Sequence, residues 1–456
     1  MTVGIVGAGV LGITLGYALA KAGVRVEVFE ADPTIGGLAA TQVLADGTVV
    51  DRFYHTVLRS DRRVRALCAE LGLDGRLAFC ETGTGLYHEG HTYALNTVAE
   101  LLRLPPLGWL DRVRLGLTVV VAQLLRDWQR LESIPVEDWL ARLSGRRTVD
   151  VIWRAMLRAK FDGAFDDVPA TYIWARLVRT SSARGGAAQK EGAGYLPGGY
   201  LALLEAMARR IEEAGGRVHV GSPVDKIVID GHKVRGLGVA GEVHPFDAVV
   251  TAVALPLVRR LLPDASPEYA DLLAETDYLD IICPLLVLDR PLTEFWTLNI
   301  SDEGVPFTGI IETTSYIDPT WVGGHHLVYL PKYVVPGGRW QALSDAEIVA
   351  EWLRHLEVMF PAFRREWIRE VRVQRAAHVE PLHRLNGLSA IPPVRTPYEG
   401  LYLATTAQIY PQLTNVESVT RHAGQVAQTV LADLGTTTVH AALRDALPAG
   451  RGASPG

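Results

Sequence analysis

The sequence predicts an α/β fold: a Rossmann-like dinucleotide-binding domain, interleaved along the chain with an α+β domain of mixed sheet and helices. Three observations predict it. The first thirty residues read as strand, glycine turn, helix and strand. Apolar strand segments of the same character return in the middle of the chain and near its end. Between them lie two long stretches of different pattern, one helical and one alternating. At 456 residues the chain also exceeds what one core usually holds, which favours two domains.

The opening unit justifies its own reading. Val3 to Val6 is a short apolar run, Gly7-Ala8-Gly9-Val10-Leu11-Gly12 follows, a helical stretch reaches Ala22, and a second strand runs from Val24 to Phe29. Gly7 permits the tight turn, Gly9 lets backbone approach a pyrophosphate, and Gly12 lets the helix lie close to the sheet. The helix start, with Val10 and Leu11, offers free N–H groups and a partial positive charge to a diphosphate. Glu30 closes the second strand, placed to accept hydrogen bonds from ribose hydroxyls, and an acid there disfavours a 2′-phosphate.

The next residues, Ala31-Asp32-Pro33-Thr34-Ile35-Gly36-Gly37-Leu38-Ala39, carry a resemblance. Together with Asp51-Arg52-Phe53-Tyr54-His55 and Tyr195-Leu196-Pro197-Gly198-Gly199-Tyr200, they resemble the flavin-containing amine oxidoreductase superfamily of amine oxidases, protoporphyrinogen oxidase and phytoene desaturases. The resemblance implies FAD as cofactor, in a binding domain of glutathione-reductase type. It places Ala31, Gly36, Gly37, Leu38 and Ala39 against the cofactor, and Phe53, Tyr54 and His55 along the flavin ring. It also implies adenine contact near Val224 and a small-residue turn beside the cofactor at Ala252. The sequence departs from the family twice: Leu38 stands where arginine is common, and Thr405-Thr406 stands where an acid normally accepts from the ribityl chain. Asn415 and Val416 open a helix running to Leu431, expected to face the flavin or simply to be capped by Asn415; both readings stay open.

These segments divide the chain into an FAD domain of residues 1–65, 195–260 and 396–435, a substrate domain of residues 66–194 and 261–395, and a tail, 436–456, expected to be partly disordered. Within the first insertion, Pro135 to Leu140 reads as a helix start. Within the second, Ile281–Leu288 and His326–Leu330 read as strands of a sheet roofing the flavin.

For chemistry, flavin supplies the redox step and the protein positions substrate. His55, Lys332 and Tyr410 are the catalytic candidates, Lys332 by analogy with the amine-oxidase lysine. Tyr54, Lys160, Tyr195 and Tyr410 are the substrate-side candidates. Lys160 with Arg154 could hold an anionic substrate, although cations in a last helical turn also suit the helix dipole. His325-His326 is not metal spacing, because neighbours on a strand face opposite sides.

The expected function is hydride transfer to flavin N5 from a C–H or C–N bond of a bulky or amphipathic small molecule. A redox-neutral flavoenzyme of the UDP-galactopyranose mutase type is the alternative, and a non-catalytic FAD scaffold a further one. With a charged fraction of 21% and a net charge of -6, no nucleic-acid partner is expected. Three cysteines, Cys68, Cys80 and Cys283, fit a reducing cytoplasm, and a monomer or homodimer is expected. Leu115 to Leu125 is too short to span a bilayer. It reads as a buried helix, with peripheral membrane contact left open.

Overall fold

The computed structural model describes residues 1–183 and 192–435; the expectation for the 436–456 tail lies outside them. Val3, Ile5, Val26 and Val28 are fully buried because their strands, Thr2–Val6 and Arg25–Phe29, sit at the centre of a parallel sheet covered on both faces. The sheet has five strands in the order 217–219, 25–29, 2–6, 248–251, 401–403, with Ile5 opposite Val28 on one side and Val250 on the other. Helices Val10–Lys21, Gly199–Glu213 and Val416–Asp433 pack into one core cluster against it. A three-stranded antiparallel sheet spanning Val224 to Pro245 covers the other face, through Ile227, Leu237 and Phe246.

The expected boundary at residue 65 falls inside helix Arg62–Glu70. Its Val64, Leu67 and Cys68 join the same core as helix Val416–Asp433, so this helix packs with the dinucleotide-binding half.

The second layer is an eight-stranded mixed sheet built on Asp277–Leu288, which pairs along its length with Ile368–Leu382. Alternation sorts its side chains. Ile281, Cys283, Leu285 and Val287 share a cluster with Phe53, Tyr195 and Tyr329, while Ile282, Leu286 and Leu288 pack with Trp352 on the opposite face. The first insertion is less purely helical than its pattern suggests: Thr84–His88 and His91–Ala94 extend this sheet. From Val98 to Ala183 it is helical, and helix Val136–Ser144 begins where expected, with Pro135 as its N-cap.

Helix Trp109–Leu124 corrects a second expectation. Leu115, Thr118 and Ala122 are buried, but Leu117, Val120, Val121 and Leu124 are exposed. The helix is therefore half in the core and half on the surface, with an apolar face on both sides.

Candidate functional site

The dinucleotide cradle is built from glycines that cannot be replaced for different reasons. A Cβ on Gly12 would lie 1.9 Å from the Gly7 carbonyl oxygen, which closes the helix against the turn. A Cβ on Gly9 would meet no atom within 4 Å, leaving open space in front of a helix whose N-terminus has no side-chain cap. Gly36 and Gly37 hold positive φ, and the Gly36 amide donates to the Ala8 carbonyl at 2.9 Å, docking the second glycine turn onto the first. Ala252 packs against this loop, and its amide donates to the Val6 carbonyl.

Glu30 accepts from the Ala8 amide at 2.7 Å and the Asp32 amide at 3.0 Å, so its carboxylate is fixed at the mouth of the cradle. The turn before strand Val224–Asp230 hydrogen-bonds to the same place, through Ser222 to the Glu30 carbonyl and Gly221 to the Asp32 carbonyl. Uncapped amides, open space at Gly9 and a fixed acid fit an FAD diphosphate and its adenosine ribose. Leu38, 38% exposed, adds no charge there, whereas Ala39 is buried.

Under the roof sheet, against the helices of the first insertion, lies a cavity of about 430 Å³. Strands supply Leu58, Thr84, Leu86, Thr297 and Asn299, with Trp296 just before the last of them; helices supply Leu101, Leu115, Val119, Met156 and Tyr172; Leu413 and Thr414 close it from the loop entering helix Val416–Asp433. Its charged residues are Lys160, Arg176, Arg179 and Glu380, and Arg179 also pairs with Asp61 at 3.3 Å. A side pocket shares Tyr172, Glu380, Leu413 and Thr414 with this cavity, and adds Thr406, Tyr410 and His383.

Lys160 reaches Glu380 at 2.9 Å and the Tyr333 hydroxyl at 3.1 Å. Burial works against its charge, but the Glu380 carboxylate holds the ammonium well above its ordinary pKa. Arg154, by contrast, pairs with Glu137 and Asp150, so of the two cations only Lys160 turns to the cavity.

The other candidates separate by strand geometry. Lys332 pairs with Ile282 while its neighbour Tyr333 pairs with Ile281, so the two side chains leave opposite faces of the sheet. Lys332 meets Asp162 at 2.5 Å and lies over the Trp340 ring, away from the cavity lining. The analogy with the amine-oxidase lysine therefore has no geometric support; Lys160 is the lysine at the cavity.

His55 donates from Nδ1 to the Phe53 carbonyl at 2.9 Å and meets the Tyr200 ring edge-on, and burial takes its pKa down to about 4. It lines a small pocket with Asp51, Tyr195 and Gly199, while the next residue, Thr56, faces the substrate cavity. Tyr195 stacks on Trp321 and Tyr54 lies 6.2 Å from the Tyr329 ring. Tyr410 donates to Glu132, which also accepts from Thr171, and its ring lies 4.5 Å from His383.

Asn415 accepts from the Ser418 amide in a capping box, the plainer of its two readings, and Val416 is the first helical residue. Buried Thr405 takes its amide bond to Gln408 and approaches Tyr278 at 3.5 Å; Thr406 reaches the side pocket. Glu380, Tyr172, Arg176 and His383 were missed by sequence reasoning. A carboxylate in the otherwise mixed strand Ile368–Leu382 gave no periodic signal, and only its register against Asp277–Leu288 brings it to Lys160.

A parallel sheet with a glycine cradle, joined to a cavity under a second sheet, is the architecture of a dinucleotide-binding protein with a separate substrate layer. Residues 12–431 match the profile of the flavin containing amine oxidoreductases. The chain belongs to that family and is an FAD-dependent oxidoreductase. It is 24% identical to a 15-cis-phytoene desaturase of Synechococcus elongatus over 393 residues, covering 79% of this chain and 80% of the relative. An oxidoreductase from Methanosarcina mazei shares the fold with a TM-score of 0.74 at 21% identity, covering 94% of this chain and all of that one. Reduced UDP-galactopyranose mutase shares it at a TM-score of 0.72 and 15% identity, covering 98% and 99%. Membership of an enzyme family sets the scaffold reading aside, and among the described residues no cluster could hold a metal ion.

Proposed function

We propose that the enzyme oxidises a C–H bond of a bulky, largely apolar substrate that carries an anionic group. The observation that carries this reading is the cavity wall: apolar over most of its surface, with Lys160 beside Glu380, Arg179 paired to Asp61, and Arg176 in the same lining. Such a wall favours burial of an apolar body, and the guanidinium and ammonium groups in it offer donors to an anionic group that a cationic amine cannot use.

FAD, when bound, supplies the hydride acceptor. The protein supplies the rest. Gly7, Gly9 and the amides of Val10, Leu11 and Gly12 hold the diphosphate, Glu30 holds the ribose, and Ala31, Gly36, Gly37, Leu38, Ala39, Val224 and Ala252 flank the nucleotide. Phe53, Tyr54, His55, Thr405, Thr406, Asn415 and Val416 belong to the segments along the ring. Leu86, Leu115 and Val119 exclude water from the substrate body, and Lys160 orients its anionic end. His383, whose pKa burial lowers to about 4, is neutral near pH 7 and stands beside Tyr410 as a proton acceptor.

The test is a paired substitution that strands no buried carboxylate. In Lys160→Met/Glu380→Gln, the KM for a long-chain carboxylate substrate should rise about tenfold while kcat changes little, since a charge-assisted hydrogen bond contributes about 1.5–3 kcal/mol. An unchanged KM would remove Lys160 from the substrate site.

A further inference from the structure

We propose that the outward face of helix Trp109–Leu124 docks the protein on the surface of an anionic lipid bilayer. Trp109, Val113, Leu117, Val120, Val121 and Leu124 recur at helical spacing and are all exposed, Trp109 by 76% and Leu124 by 75%. The adjoining helix adds exposed Leu102. Sixteen residues give an apolar ridge about 24 Å long, a continuous feature rather than the scattered single exposures normal on a protein surface. Among the described residues no helix is long and apolar enough to cross a membrane, so the arrangement is that of a helix lying in the interface plane.

Charge identifies the occupant. In residues 98–148 the exposed cations are Arg103, Arg126, Arg130, Arg142, Arg146 and Arg147, against exposed Asp127 and Asp138. This positive rim stands on a chain whose net charge is -6. Arg147 reaches the Pro106 carbonyl at 2.9 Å, and Arg114, on the docking helix, reaches the Arg142 carbonyl at 2.9 Å, so the cationic segment is fastened beside the helix N-terminal half. An apolar ridge bordered by arginines complements anionic headgroups over an acyl layer. A second copy of this chain would set the same rim against itself.

The inward side of the same helix carries Leu115 and Val119 into the cavity wall. The docked helix is therefore the partition between bilayer and cavity. Delivery of a lipid-soluble substrate past it rests on the function proposed above; docking does not.

The test needs no substrate. The full-length FAD-loaded protein is sedimented with vesicles of phosphatidylcholine, with and without phosphatidylglycerol, at low and high salt. The wild type should bind the phosphatidylglycerol vesicles, more weakly as salt screens the arginines. Leu117→Glu/Val121→Glu should bind them at least about tenfold more weakly while retaining its flavin absorbance, which reports an intact fold. The proposal is overturned if the wild type stays in the supernatant, if the double variant sediments equally well, or if phosphatidylglycerol makes no difference. It is also overturned if sedimentation velocity without lipid shows a wild-type dimer that the same substitutions dissociate, which would make the ridge a contact between copies.

Discussion

Gly9 and Gly12 separate what the fold needs from what the cofactor needs. A methyl group on Gly12 collides with the Gly7 carbonyl, so Gly12→Ala should impair folding itself. A methyl on Gly9 meets nothing in the protein. Gly9→Ala should therefore melt close to the wild type without cofactor, yet bind FAD at least about tenfold more weakly, because only the diphosphate occupies that space. Titration calorimetry with FAD measures this, and undiminished affinity would contradict the cradle. Asp51 offers a second residue-level test. It is buried, one carboxylate oxygen lacks a hydrogen-bond partner, and burial pushes its pKa up to about 7, from about 3.9 in an unfolded chain. A raised carboxyl pKa gives stability that is full below the unfolded value and lost as pH rises towards the folded one. Asp51→Asn imitates the protonated form, so its Tm relative to wild type should climb between about pH 4 and about pH 8. A constant difference would show that Asp51 is not protonated in the fold.

At the scale of elements, local rules were legible and register was not. The strand, glycine turn and helix at the N-terminus follow from backbone dihedrals and spacing within thirty residues, and they form where the sequence places them. The cap at Asn415 is equally local. Asn415→Ala should cost about 1 kcal/mol, read as a lowered Tm, and a neutral result would mean that the Ser418 half of the capping box suffices. Lys332 shows the limit. Its sequence neighbourhood does not say which face of the roof sheet it leaves, and one position of register separates it from Tyr333, which contacts Lys160. Glu380 was hidden for the same reason, since it lies 220 positions along the chain from Lys160. The buried-helix reading of Leu115 to Leu125 holds for only one face of Trp109–Leu124, because an apolar pattern does not say how many sides of a helix are covered.

At the scale of the molecule, one sheet carries the glycine cradle, a second sheet forms the roof, and the helices between Val98 and Ala183 complete a cavity whose wall is largely apolar and includes Lys160, Arg176 and Arg179. The proposed function is that this cavity lets FAD oxidise a bulky anionic substrate rather than an amine. The most direct measurement is anaerobic reduction of the FAD-loaded enzyme by two molecules that share one long apolar skeleton and the same oxidisable C–H bond, one ending in a carboxylate and the other in an ammonium group. The account predicts that the carboxylate bleaches the oxidised-flavin absorbance at the lower concentration. Faster or tighter reduction by the ammonium compound would contradict it.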